Sequence, residues 1–288
     1  MGIVRRMSRD ITATAIIAKM PQSESGNARE TQSGVVAEMP APRLTWRMIT
    51  EIFARPQPVT IPMVTLFAII PFYLFIGSYV SHSHWTLHAP EVALDRGLPL
   101  HPAWSVIYGS LFVAAFLPVF IVHQQELIRR TIFAYLTAWL VSYAVFLAYP
   151  TISPRHADVV GAGFFACALR TIYSSDVPFN CFPSLHVAQC FLAALTSYRV
   201  HRGVGAVAGV WACLVGMSTL YTKQHYVVDV IAGAILAYAA YLIFLRGYPR
   251  NAVPELERRL APMLALGAFG MYGIIVVGLW FVYALSAS

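Results

Sequence analysis

The sequence predicts an all-α fold, a polytopic bundle of membrane-spanning helices. Hydrophobic residues make up 58% of the 288 and charged residues 11%. The mean hydropathy is +0.63, and the apolar residues gather into seven long runs. Backbone polar groups in lipid must be satisfied within the chain, so runs of this length close into helices.

Residues 1–58 mix Ser, Gly, Pro, Gln and Arg with short apolar patches and hold no stretch suited to a signal peptide. They read as a mostly disordered tail. Within it, 44–53 is a candidate interfacial helix, because Trp46 and Arg47 suit a headgroup boundary. Residues 59–288 read as one transmembrane domain. Its spans are expected at 59–80, 103–122, 131–149, 185–200, 204–221, 226–245 and 260–284, near the length that a helix rising about 1.5 Å per residue needs to cross a bilayer. The fourth and fifth are the shortest.

Basic residues orient the bundle. Arg43, Arg47, Arg55, Arg129, Arg130, Arg199, Arg202, Arg246, Arg250, Arg258 and Arg259 fall on one side, against Arg96, Arg155, Arg170 and Lys223 on the other. That asymmetry places the N-terminus in the cytoplasm and the opposite face outside, in a periplasm or lumen. The formal net charge of +7 is then a topology signal, and nucleic acid is not an expected partner.

Two polar segments open apolar runs on the external face: Cys181-Phe182-Pro183-Ser184-Leu185-His186, and His225-Tyr226-Val227-Val228-Asp229. Ionisable groups at membrane depth are costly unless paired or used. His225 and Asp229, four residues apart, share one helix face, and a carboxylate on one imidazole nitrogen leaves the other free as nucleophile or base. A structural His-Asp tie between helices is the plain alternative. Ser184 suits an N-cap, and the helix behind it offers amides to an anion beside His186. Arg155, in Tyr149-Pro150-Thr151-Ile152-Ser153-Pro154-Arg155, and Lys223 lie on the same face as candidate phosphate donors.

The run from Cys181 to Ala188, followed by Ser218, Leu220, Tyr221, His225, Tyr226, Asp229, Val230 and Gly233, resembles the type 2 phosphatidic acid phosphatase superfamily. Within it, the chain most resembles the inositolphosphotransferase branch that includes inositol phosphorylceramide synthases. The resemblance covers roughly 60–245 and implies a six-helix core, to which the last span adds a seventh helix. It implies that His225 attacks phosphorus, Asp229 orients it and His186 protonates the leaving oxygen, through a phosphohistidine with no metal or other cofactor. Membrane lipids are the implied substrates, with head-group transfer between lipids ahead of simple dephosphorylation. The chain departs from the phosphatase branch in lacking an upstream K-x6-R-P motif, and Thr219 stands where that branch has arginine. Arg155, Ser184 and Lys223 are therefore expected to hold the phosphoryl group.

An intramembrane serine hydrolase built on Ser184 is a second class, weakened by the absence of a G-x-S-x-G elbow. A transporter with a His-Asp proton relay is a third, weakened because the polar residues cluster at one end. His82, His84 and His88 have loose zinc spacing, but beside Trp85 and Trp104 they read as an interfacial belt. The stretch 98–108 resembles the same branch ahead of its second span and is a candidate lipid entrance. Cys167 and Cys181, in one external loop, are placed for a disulfide in an oxidising compartment. Gly267, Gly270 and Gly273 give the last span a small-residue face for packing, within the bundle or against a second copy.

Overall fold

The computed structural model describes residues 57–155 and 159–287. The tail expected at 1–58, with its interfacial helix, lies outside them but for its last two residues, which already belong to the first helix. Among the described residues the fold is all-helical, with one isolated parallel bridge between His88 and Thr151. In order come α1 (Gln57–His82), α2 (Ala93–Gly97), α3 (Trp104–Gly109), α4 (Leu111–Ile121), α5 (Gln125–Ala148), α6 (Phe164–Ser175), α7 (Leu185–Val200), α8 (Arg202–Tyr221), α9 (Val227–Phe244) and α10 (Glu255–Ala287).

Every predicted apolar run is helical, and among the described residues six helical stretches are long and apolar enough to cross a membrane. The exception is α7, whose 16 residues span about 24 Å, short of the roughly 30 Å of hydrocarbon in a bilayer. It lies at the centre of the bundle, packed by α4, α5, α8 and α9, so its neighbours rather than lipid cover it. His201 ends α7 and starts α8 at one residue: its N–H donates to the Ser197 carbonyl at 2.8 Å, and its Nδ1 accepts from Val204 N–H at 3.2 Å. Gly205 permits this tight turn, since a β-carbon there would lie 2.3 Å from Tyr198 Cα.

The second predicted span is divided at Ser110. The Ser110 hydroxyl donates to the Ile107 carbonyl at 2.6 Å and accepts the Trp211 indole N–H at 2.8 Å, which joins the break to α8. Helix α5 begins six residues before the expected start at 131. The Gln124 side chain caps Glu126 N–H at 2.8 Å, and Glu126 pairs with Arg129 and Arg130, so a charged first turn precedes the apolar run. Helix α10 likewise starts early, with Glu255 paired to Arg258 and Arg259. It docks on α3 through Tyr272, whose hydroxyl donates to the Val106 carbonyl. A β-carbon at Gly267, Gly270 or Gly273 would meet nothing within 4 Å, so the small-residue face is open rather than packed within the bundle.

The basic residues of one end meet each other's surroundings. Arg199 donates to the Arg246 carbonyl at 2.8 Å and to the Tyr248 carbonyl at 3.4 Å, Arg130 lies over the Tyr248 ring, and Arg250 lies over Tyr198. The external loop after α5 is not irregular throughout: within it α6 forms an amphipathic helix. Among the described residues no disulfide braces that loop. Cys167 and Cys181 are free thiols, and buried Cys181 directs its sulfur to the Pro178 carbonyl at 3.5 Å. Burial, helped by the charge of Asp229, pushes the Cys181 thiol well above its ordinary pKa.

Candidate active site

Helix α8 ends in a Schellman turn that delivers His225 to the start of α9. Lys223 N–H donates to the Leu220 carbonyl at 3.1 Å and Gln224 N–H to the Thr219 carbonyl at 2.8 Å. Lys223 holds φ +54°, the left-handed position usually given to glycine in this motif. The first amides of α9 are then satisfied by two carboxylates. Asp229 Oδ2 accepts from Tyr226 N–H at 2.8 Å, and Asp95 Oδ1 from Val227 N–H at 2.9 Å.

The second histidine arrives from α7. Ser184 is its N-cap, with Oγ accepting from Val187 N–H at 3.4 Å. Ser184 N–H donates to the Asp229 carbonyl at 3.0 Å, which ties the two motifs by their backbones. Thr151 Oγ1 accepts from Cys181 N–H at 3.2 Å and Phe182 N–H at 3.1 Å, so the segment after α5 braces the loop that precedes Ser184.

His186 Nδ1 lies 3.0 Å from His225 Nε2. On the far side of the His225 ring, Nδ1 lies 3.4 Å from Asp229 Oδ2, within ion-pair range but off the line of a hydrogen bond. His225 and Asp229 are 3% and 0% exposed, so water does not compete for this pair. His186 is enclosed by aromatic rings, Tyr108 at 5.4 Å and Tyr73 at 6.2 Å between centroids, and the Tyr108 hydroxyl lies 3.4 Å from His186 Nε2. Two imidazoles that meet at their edges, one backed by a carboxylate, can supply a nucleophile to phosphorus and a proton donor to the oxygen that leaves it.

The predicted cations stand differently. Arg155 is clamped: Nε donates to Gln224 Oε1 at 3.0 Å, Nη2 to Gln224 Oε1 and to Asp176 Oδ2 at 3.3 Å, and Nη1 to the Asp176 carbonyl at 2.6 Å and the Tyr173 carbonyl at 3.3 Å. Its guanidinium also lies 4.9 Å from the Tyr173 ring centroid. Burial raises the pKa of Asp176, against the lowering effect of Arg155 and then of His225, so this charge pair borders the histidines. Lys223 turns to the short helix α2, with Nζ donating to the Leu98 carbonyl at 2.7 Å and the Asp95 carbonyl at 3.4 Å. Ser184 is fully buried and held in its capping role.

The sequence did not single out Tyr73, Asp95, Asp176 or Gln224, and it placed Tyr108 only at the end of the candidate lipid entrance. Only Gln224 carried a local signal, by preceding His225; the others come from distant segments that the fold brings in. Gln224 Nε2 is buried without a partner while its Oε1 is fixed by Arg155, which leaves an amide donor unused beside the site. The external-loop histidines disperse: His82 bonds back to the Ser78 carbonyl, and His88 stacks on Tyr149 at 4.1 Å. Among the described residues no three His, Cys, Asp or Glu side chains are grouped to hold a metal ion.

The PAP2 superfamily profile matches residues 74–243, which include both histidine segments, Arg155 and Gly233. A PA-phosphatase related-family protein of Dictyostelium discoideum is similar, at 27% identity over 119 residues that make up 38% of this chain and 22% of that relative. The chain thus spans about a fifth of the length of that curated relative. No solved structure matches. With its profile covering more than half of the 288 residues, the chain belongs to the PAP2 superfamily.

Proposed function

We propose that this protein is an integral-membrane lipid phosphotransferase that works through a phosphohistidine on His225. The observation that carries the reading is the 3.0 Å approach of His186 Nδ1 to His225 Nε2, with Asp229 behind His225. The charge of Asp229 favours a proton on His225 Nδ1, which leaves the Nε2 lone pair for phosphorus once the substrate parts it from His186 Nδ1. The step requires His186, neutral at rest, to take up a second ring proton first and so become imidazolium. As the N–P bond forms and the P–O bond breaks, the proton on His186 Nδ1 passes to the leaving oxygen. His186, now neutral, takes a proton from the incoming hydroxyl as the N–P bond breaks and the new P–O bond forms.

Arg155 supplies positive charge from one flank, fixed in place by Asp176 and Gln224, and the unused amide of Gln224 adds a neutral donor. Ser184 helps by presenting the start of α7, and Lys223 by bracing α2 against the site while keeping one ammonium donor for the phosphoryl group. The charge asymmetry along the sequence favours a site on the external face and an N-terminus in the cytoplasm. The open glycine face of α10 offers a second copy a place to pack.

Transfer of a phospho-head-group between lipids is the favoured reaction, on the resemblance of the motif segments to the inositolphosphotransferase branch. Dephosphorylation uses the same intermediate with water as acceptor, and the name of the Dictyostelium relative favours it. Serine hydrolysis fits poorly, because the Ser184 hydroxyl is buried and capping α7. The deciding experiment gives purified protein labelled phospholipids and lipid phosphates, with and without ceramide or diacylglycerol. A new phosphodiester lipid is expected; free phosphate as sole product would defeat the transferase reading.

A further inference from the structure

The carboxylate of Asp229 beside His225 Nδ1 favours one proton direction through the resting contacts of the two histidines. A proton on His225 Nδ1, facing Asp229, leaves Nε2 as a lone pair. The 3.0 Å contact then requires a proton on His186 Nδ1, since two lone pairs or two N–H groups cannot face each other. Neutral His186 is left with a lone pair on Nε2, and the group 3.4 Å from that atom is the Tyr108 hydroxyl, which can donate to it.

The hydroxyl is a rotor, donor or acceptor as its partner demands. When His186 becomes imidazolium, Nε2 carries a proton as well, and Tyr108 oxygen accepts it. Once the Nδ1 proton has gone to the leaving oxygen, Nε2–H still faces Tyr108. In each state the hydroxyl pairs Nε2, and the proton that takes part in the reaction is exchanged at Nδ1, the edge facing His225.

We propose that Tyr108 is the positioning residue that reserves His186 Nδ1 for the reaction by holding Nε2 in every protonation state. The proposal rests on the phosphoryl-transfer reading above. Tyr108 is built to hold still: it is 4% exposed and packs with Leu111, Ala114, Cys190, Ala212 and Val215. Its ring lies edge-on to His186. Phenylalanine at 108 keeps that packing and removes only the hydroxyl.

The test compares two leaving groups in the full-length purified protein, since a p-nitrophenolate needs no protonation and an alkoxide does. With an alkyl phosphate lipid, Tyr108→Phe should lower the single-turnover rate about tenfold or more, the worth of a hydrogen bond to a charged group, with KM within about twofold. With the p-nitrophenyl ester of the same phosphate, the burst rate should fall less than about threefold. Tyr135→Phe, which removes a hydroxyl that donates to the Ala115 carbonyl at 2.7 Å within the bundle, should leave the ratio of the two rates unchanged. Equal losses on both substrates, or no loss on either, would overturn the proposal. A wild-type protein that gives no p-nitrophenolate burst would instead strike the phosphohistidine reading, and the role of Tyr108 with it.

Discussion

The carbonyl oxygen of Ser184 lies 2.3 Å from the point that a β-carbon on Gly233 would occupy. This contact sets how closely α7 and α9 approach, and hence how closely His186 and His225 meet. It also gives the glycine that follows Asp229 by four residues a physical reason: the facing atom is backbone and cannot swing aside.

Gly233→Ala should therefore push the two helix starts apart. Overpacking of this kind costs about 1–3 kcal/mol, and here the strain falls on the contact between the histidines. Thermal unfolding should show a modest loss of stability. Activity should fall by far more than that loss accounts for, and a variant with wild-type turnover would refute the contact's role.

Arg155 and Asp176 form a largely buried pair, with side chains 10% and 17% exposed. Arg155→Ala strands a buried carboxylate whose pKa burial already raises, and breaking such a pair costs on the order of 3 kcal/mol. Asp176→Asn added to Arg155→Ala should recover part of the stability, because no charge is then left unpaired. Arg155→Lys should not restore activity, since one ammonium cannot hold Gln224 and Asp176 together. A double variant no more stable than Arg155→Ala would show that the pair does not act as a unit.

Lys223 combines a left-handed backbone with an ammonium that binds carbonyls of α2. Replacing it separates the two. Lys223→Gly and Lys223→Ala both lose the ammonium, but glycine relieves a backbone conformation that costs other residues roughly 1–2 kcal/mol. The glycine variant should unfold at the higher temperature. If activity survives unchanged in both Lys223→Ala and Arg155→Ala, neither cation serves the phosphoryl group.

Cys167 and Cys181 should both map as free thiols under non-reducing mass analysis. Their reactivities should differ. The raised pKa of Cys181 leaves little thiolate near neutral pH, so alkylation should be slow in the folded protein and quicken on denaturation. Rapid labelling of native Cys181 would contradict its burial.

The helices were legible because lipid imposes long apolar runs, and each predicted run is helical. Their ends were less so: α5 and α10 start early because Glu126 and Glu255 form ion pairs that extend a helix beyond its apolar stretch. Helix α6 escaped because it lies in the external loop and carries the pattern of a surface helix, not of a span. At the candidate site, His186, His225 and Asp229 could be singled out because each lies in a short polar motif that opens an apolar run. Tyr73, Tyr108 and Asp176 could not, since nothing local marks a tyrosine in an apolar run or an aspartate in a loop as facing a distant histidine. Lys223 lies beside His225 in sequence, but nothing local foretells that its ammonium also binds the Leu98 carbonyl, more than a hundred residues earlier.

The central claim is covalent, so the direct test is to trap the intermediate. Wild-type protein mixed briefly with a lipid substrate labelled in its phosphate, then quenched in alkali and digested, should carry the label on the peptide containing His225. The bond should be stable to base and labile to acid, and the label should be absent from His225→Ala. Label on Ser184, or turnover of the lipid by His225→Ala at an undiminished rate, would contradict the account.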